Sequence, residues 1–216
     1  MTRNLPSSAS VAHATEGAKL HAAAAARNEA DIAALLVEVA PKTGKALELA
    51  SGTGQHVARF ARDMPGLIWQ PTEVDAARRA SIDAYVADAD LDTLRPARAL
   101  DACAPGWAAQ WGGQNLIVLV NLLHLISWSE AECLLENAGS ALAQGGRLVL
   151  YGPFKRNGEL TSQGDAAFDA QLRGADPDIG YKDDTVVIAA LQDCGLQLLR
   201  AVELPANNLA LVAGQP

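Results

Sequence analysis

Apolar positions along this chain recur at two spacings, and stretches of one alternate with stretches of the other. Within "RNEADIAALLVEVA", Ile32, Leu35, Leu36 and Val39 fall at i, i+3, i+4 and i+7, which predicts an amphipathic helix that Pro41 and Gly44 end. Asn28, with Asp31 three residues on, is the expected N-terminal cap. "KALELA" then reads as a buried strand, and Val57, Phe60, Ala61 and Met64 mark the inner face of the next helix. "GLIWQ" is a second strand, "DAARRASIDAYVA" a helix, and "ARAL" before Asp101 a short third strand. The almost unbroken apolar run "NLIVLVN" (115–121) suits a central parallel strand covered on both faces. A helix over 129–142, the pair Gly145-Gly146 and the strand "RLVLYG" follow.

Periodicity weakens over 153–183, which is rich in Gly, Asp and Asn, with a short helix expected around Asp165–Leu172. A helix over 185–194 comes next, and "LQLLRAVEL" and "LALVA", split by "PANN", form a terminal hairpin. Strand and helix thus alternate five times before an antiparallel close. The expected fold is α/β: a Rossmann-like, doubly wound, mostly parallel sheet with a C-terminal antiparallel hairpin. Residues 1–20 are small and polar and are expected to be a mobile arm. Residues 21–216 are expected to be one domain, with 153–183 as an insertion on the substrate side, since long loops in compact domains are often functional.

Composition narrows the partners. The 216 residues are 50% hydrophobic and carry a net charge of −8, a surface that repels nucleic acid and anionic membranes. Three scattered cysteines, Cys103, Cys133 and Cys194, form neither a disulfide framework nor a zinc pattern. There is no apolar run of membrane-spanning length and no signal-peptide core at the start, so a cytoplasmic protein is expected. No His, Cys, Asp and Glu grouping has metal-ligand spacing, and the expected chemistry needs no metal.

The densest chemistry lies in "ALELASGTGQHVARF" (46–60), where a strand enters a helix through Gly52, Thr53 and Gly54. A phosphate-binding loop needs Lys-Ser or Lys-Thr after the glycines, and Gln55-His56 stand there. The dinucleotide pattern ends in Gly or Ala, and Val57 occupies that place. S-adenosylmethionine fits better, being a cation without phosphates whose amino group and sulfonium favour nearby oxygens. Glu48 supplies an acid before the turn, and Glu73, just past the second strand, sits where a ribose acceptor belongs. Asp101 closes the third strand, where it can accept from an adenine amino group. Each of these two acids alone fits equally well as a helix cap or loop residue.

Longer matches run in order from residue 27: "RN" (27–28), "LELASGTGQHVARFA", "WQPTEVD", "NLLHLISW", "LYGPFKRNGELTSQGDAAFDAQLR" and "LPANNLALV". On these the chain resembles the class I S-adenosylmethionine-dependent methyltransferases, and more closely the methyltransferase-like 26 family, also catalogued as domain of unknown function 938. Two departures stand out: Leu122-Leu123 replace a typical Met-Ile pair, and Gly164-Asp165 stand near an expected Ser-Asn. The resemblance implies that Arg27 and Asn28 approach the methionine carboxylate or line the cofactor mouth. It implies that Glu48, Gly52, Thr53 and Gly54 cradle the cofactor, Glu73 holds ribose, Asp101 and Ala102 flank adenine, and Asn121 lies beside the methyl donor.

Methyl transfer is an in-line displacement, so the protein mainly aligns the nucleophile and removes a proton where needed. His124, three residues past the fourth strand, is the candidate base, because an ordinary imidazole titrates near neutral pH; packing within its turn is the competing role. His56 is expected to serve the structure or the cofactor side, and His13 and His21 belong to the arm or its edge. Trp128, Tyr151, Phe154, Asp165, Asn207 and Asn208 are the candidate substrate contacts, with Lys155 and Arg156 as possible receivers of an acidic group. The expected function is metal-independent methyl transfer to oxygen or nitrogen of a small molecule by a monomer or homodimer. A cofactor-binding sensor, a non-catalytic partner protein, or different chemistry on the same fold stay open.

Overall fold

The structure, a computed structural model, describes residues 5–6, 9–15 and 17–215. Of the expected mobile arm, residues 1–4, 7–8 and 16 lie outside the described residues. The described part includes a small antiparallel pair, β1 (His13–Ala14) with β2 (Leu20–His21). This pair is held to the domain: the Leu20 amide donates to Ser81 Oγ at 2.8 Å, and Tyr85 OH donates to the Leu20 carbonyl at 3.2 Å.

The domain continues α1 (Ala23–Val39), β3 (Gly44–Leu49), α2 (Gln55–Asp63), β4 (Leu67–Pro71), α3 (Ala76–Ala89), α4 (Ala108–Trp111) and β5 (Gln114–Val120). A 3-10 turn (Leu123–Leu125) leads into α5 (Trp128–Ala141), β6 (Leu142–Pro153), α6 (Gln163–Ala175), α7 (Asp184–Asp193), β7 (Gln197–Leu204) and β8 (Asn208–Gly214). The six main strands lie in the order β4-β3-β5-β6-β8-β7. The β4/β3, β3/β5 and β5/β6 pairs are parallel, and β8 enters antiparallel between β6 and β7.

Strand alternation divides the core into two halves. Leu47 and Leu49 of β3 face Leu134 and Leu135 of α5 and Leu191 of α7. Ala46 faces Ile32 and Leu36 of α1, Phe60 of α2 and Ile82 of α3. By the same alternation Glu48 points to the α1–α3 side, as does Tyr151 of β6, which packs in that half of the core. All four parallel strands end at one edge of the sheet, and the turns that leave them carry the site.

Two sequence expectations change. The third strand does not form. Residues 93–98 run beside the outer side of β4 and touch it only through isolated parallel bridges, Trp69 with Leu94 and Thr72 with Arg98. Pro71 lacks the amide donor that a continuous ladder needs next, the Ala97 amide donates to Asp83 Oδ1 at 2.7 Å instead, and the Gln70 side chain donates to the Pro71 and Pro96 carbonyls at 2.9 Å. Asn28 does not cap α1. The helix begins at Ala23, with Ala22 as N-cap, because the run Ala22–Ala26 is strongly helix-forming and carries the helix upstream.

Candidate functional site

The turn after β3 is built by unusual backbone. Ala50 (φ 50°), Gly52 (φ 59°) and Gly54 (φ 95°) all have positive φ. A Cβ at Gly54 would sit 2.8 Å from Ile82 Cα, so this glycine lets α2 pack against α3. At Gly52 the nearest group is Arg78 Nη1 at 3.9 Å, so its missing side chain leaves open space above the turn. Thr53 is buried, and its hydroxyl donates to Gln55 Oε1 at 3.0 Å, which also accepts from the Ala22 amide at 2.7 Å.

Glu73 braces this turn from the end of β4. Its Oε2 accepts from the Gly52 amide at 3.0 Å, and its Oε1 accepts from the amides of Val74 (2.8 Å) and Asp75 (3.2 Å). Three of the carboxylate's four acceptor sites are thus taken by backbone, and the one left is on Oε2. Glu48 lies below, 2% exposed, and its Oε2 is buried with no hydrogen-bond partner among the described residues. Burial pushes the Glu48 carboxyl up to about 8. The Ser51 hydroxyl pulls it back only in part, and the nearby Glu73 carboxylate adds to the rise.

On the same side of the sheet, Asn28 projects from α1 and its Oδ1 pairs with His56 Nε2 at 2.8 Å. His56 stacks on Phe60 with ring centroids 5.6 Å apart, and burial lowers its pKa to about 4. Burial raises the Tyr151 phenol, with the Asn28 side chain opposing that rise and Asp31 adding to it. Asn28, His56 and Tyr151 are thus joined in a polar group between α1 and the sheet, on the face to which Glu48 points. Arg27 is exposed one position before Asn28.

Past β5, Asn121 has a left-handed backbone (φ 56°), and its amide donates to the Tyr151 carbonyl at 2.8 Å. His124 follows in the 3-10 turn, 5% exposed, with its ring 5.9 Å from Phe168 and 6.1 Å from Tyr181, centroid to centroid. Burial first and the Lys182 ammonium second push its pKa down to about 3. An imidazole this acidic is a weak proton acceptor, so the expected match of an ordinary histidine to neutral pH does not hold here.

The 153–183 segment is fastened to this turn. Gly180 N donates to the His124 carbonyl at 3.0 Å, and the buried Lys182 ammonium donates to the carbonyls of Ile126 (2.6 Å) and Gly180 (3.0 Å). Asp165 is a hub. Its Oδ2 accepts from Thr161 (2.7 Å), Ser162 (2.6 Å) and Asn207 (2.9 Å), and its Oδ1 accepts from Tyr181 OH (3.0 Å). Burial raises this carboxyl, but the hydrogen bonds from Ser162, Thr161, Asn207 and Tyr181 outweigh that and hold it below its ordinary value.

The expected substrate contacts thus scatter. Asp165 and Asn207 meet and bind each other. Phe154 is 1% exposed within the core, and Arg156 forms a two-pronged ion pair with Glu203 at 3.0 and 3.1 Å. The Asn208 side chain donates to the Pro205 carbonyl at 2.9 Å within its own turn. Trp128 packs against the core at the start of α5. With Ser127, Ser129, Glu130, Pro177 and Asp178 it lines a surface depression that includes no residue of the glycine turn.

Asp101 is exposed, and its Oδ1 accepts from the Cys103 amide at 2.9 Å. Ala102 is buried, and its carbonyl accepts from Trp107 Nε1 at 3.0 Å. Sequence reasoning missed Gln55, Phe168, Tyr181 and Lys182. Gln55 was legible beside the glycines. The others have no local pattern and matter only because the fold brings them to His124.

Sheet order, the glycine turn after the first parallel strand and the acid after the second define a class I methyltransferase fold. A putative O-methyltransferase from Nostoc punctiforme superposes with a TM-score of 0.75 at 19% identity, covering 88% of this chain and 56% of that one. An O-methyltransferase family protein from Burkholderia thailandensis gives 0.76 at 17% identity, covering 89% and 57%. Human N-acetylserotonin methyltransferase in complex with SAM gives 0.73 at 12%, covering 89% and 52%. The chain therefore spans little more than half the length of these proteins. More particularly, residues 19–214 match the family described as protein of unknown function (DUF938), and the chain belongs to it.

Proposed function

We propose that this protein binds S-adenosylmethionine and transfers its methyl group to oxygen or nitrogen of a small molecule. The observation that carries the reading is Glu48: a buried carboxyl with an unpartnered oxygen, beneath a left-handed glycine turn that the Glu73 carboxylate braces. Such an acceptor calls for a cationic donor, and the ammonium of a methionine moiety is one. Open space above Gly52 suits close backbone approach, and the remaining acceptor site of Glu73 suits one ribose hydroxyl.

When bound, the cofactor supplies a methyl carbon already activated by its sulfonium. In this reading Glu48 holds the ammonium and Thr53 and Gln55 keep the turn in shape. Asn28 and Tyr151 border the methionine end, with Arg27 at the mouth. Asn121 lies beside the reacting carbon, and Asp101 and Ala102 border adenine. His124 orients the acceptor as a neutral hydrogen-bond partner and does not serve as a strong base. The acidic chain, net charge −8, favours a small-molecule acceptor over nucleic acid.

Calorimetry with S-adenosylhomocysteine tests the cofactor. A cationic ligand group beside Glu48 ionises a carboxyl that is otherwise protonated near neutrality. Binding at pH 7 is therefore expected to release a proton and to show an enthalpy that depends on buffer. Glu48→Gln is expected to abolish the buffer dependence and weaken binding at least tenfold. Absence of binding to the unaltered protein overturns the reading. A second reading, cofactor binding without turnover, draws support from the near-complete burial of His124. Labelled S-adenosylmethionine incubated with small-molecule extracts separates the two, since only a transferase yields a labelled product.

A further inference from the structure

His124, Phe168 and Tyr181 form a three-ring cluster with centroids 5.9, 6.1 and 6.2 Å apart. The rings differ in how they are held. Tyr181 is tied at both ends: its hydroxyl donates to Asp165 Oδ1 at 3.0 Å and its amide to Asp169 Oδ1 at 2.7 Å. The turn carrying His124 is tied through its carbonyl to Gly180. Phe168 has no polar atom on its ring to tether, and it is partly exposed where the other two are buried. It is therefore the ring that a change of rotamer can move, in a cluster against which Leu5, Ala9 and Leu160 also pack.

The surroundings say what would take its place. Beneath the rings lie the buried apolar side chains of Leu125, Leu172 and Ile179. The nearby charges are already engaged. Asp165 accepts from four side chains, Asp169 from the Tyr181 amide and from Arg173 at 2.8 Å, and Lys182 donates to two carbonyls. A charged ligand entering here would lose water and meet carboxylates and an ammonium that already hold partners. A neutral ring would gain offset or edge contacts with Phe168, and a hydroxyl or N–H on it would meet a neutral imidazole.

We propose that Phe168 is the acceptor-selecting residue of this site, a movable ring over His124 that admits uncharged aromatic molecules bearing a hydroxyl or N–H. The role assigned to such molecules as methyl acceptors rests on the methyltransferase reading, but their binding does not. The test titrates 2-naphthol, 2-naphthoate and protonated 2-(aminomethyl)naphthalene into the full chain saturated with S-adenosylhomocysteine, by calorimetry. Naphthol is expected to bind at least tenfold tighter than either charged probe. Phe168→Ala is expected to weaken naphthol at least fivefold, and Phe168→Trp to hold it within twofold, with unfolding temperatures showing that both variants are folded.

Equal or tighter binding of a charged probe, no naphthol binding at millimolar concentration, or unchanged affinity in Phe168→Ala overturns the proposal. Should S-adenosylhomocysteine itself fail to bind, the same titrations on the free protein decide the role of Phe168. That failure then counts against the cofactor reading alone.

Discussion

Gly52 and Gly54 stand two positions apart in one turn and are glycine for different reasons. Gly54 has a φ of 95°, and its missing Cβ makes room for Ile82. Gly54→Ala is expected to cost about 2–3 kcal/mol of stability through strain and overlap. Gly52 has a φ of 59°, which an alanine can adopt, and faces open space. Gly52→Ala is expected to cost only about 1 kcal/mol, yet to weaken S-adenosylhomocysteine at least tenfold by filling the ligand's approach. Chemical denaturation and calorimetry on the pair separate the packing role from the binding role. Equal effects of the two variants on both measurements would refute the distinction. Glu48 makes a similar point at the level of a single atom, because a buried oxygen without a donor is the part of the turn that packing does not explain.

Among the elements, the 153–183 segment and the hairpin tip are joined through Asp165, which gathers donors from its own turn, from Tyr181 sixteen residues on and from Asn207 forty-two residues on. Asp165→Asn replaces an acceptor-only group by one that must place an NH2 among four donors. A loss of about 2–4 kcal/mol is expected from the unmatched buried polar atoms. Hydrogen exchange should quicken mainly over 161–182 and 205–208; acceleration spread evenly over the sheet would contradict this account. The same cluster shows where sequence reading stops. Helices and strands were legible because each carries its own period, as Ile32, Leu35, Leu36 and Val39 do in α1. Strand 97–100 failed because Pro71 has no amide to donate and the Ala97 amide is taken by Asp83, a matter of separate segments together. Glu48, the glycines and Glu73 were legible because they lie in or beside recognisable strand ends. The mutual saturation of Asp165 and Asn207 was not, since each alone reads as a polar loop residue and only the fold makes them partners.

For the whole molecule, buried ionisable groups set a dependence of stability on pH. Glu48 is raised from 4.5 to about 8, so the folded state holds a proton the unfolded chain has lost, and stability falls as pH rises from 4.5 towards 8. His56 and His124 are lowered from 6.5 to about 4 and about 3, so stability falls as pH drops below 6.5 and both must charge on unfolding. Between 4.5 and 6.5 two histidines outweigh one glutamate, which puts the maximum near pH 6.5. Each of these shifts corresponds to roughly 3–5 kcal/mol over its full range. Thermal unfolding from pH 4 to 9 is expected to peak near 6.5, with Glu48→Gln flattening the alkaline limb; a maximum above pH 8 would be incompatible with a buried, protonated Glu48. The position of β8 has a consequence for how the molecule is made. It follows β7 in the chain, yet it fills the slot between β6 and β7. As the chain leaves the ribosome, β7 has no partner and β6 has one bare edge until residues 208–214 emerge, so the nascent protein carries open sheet edges up to that point.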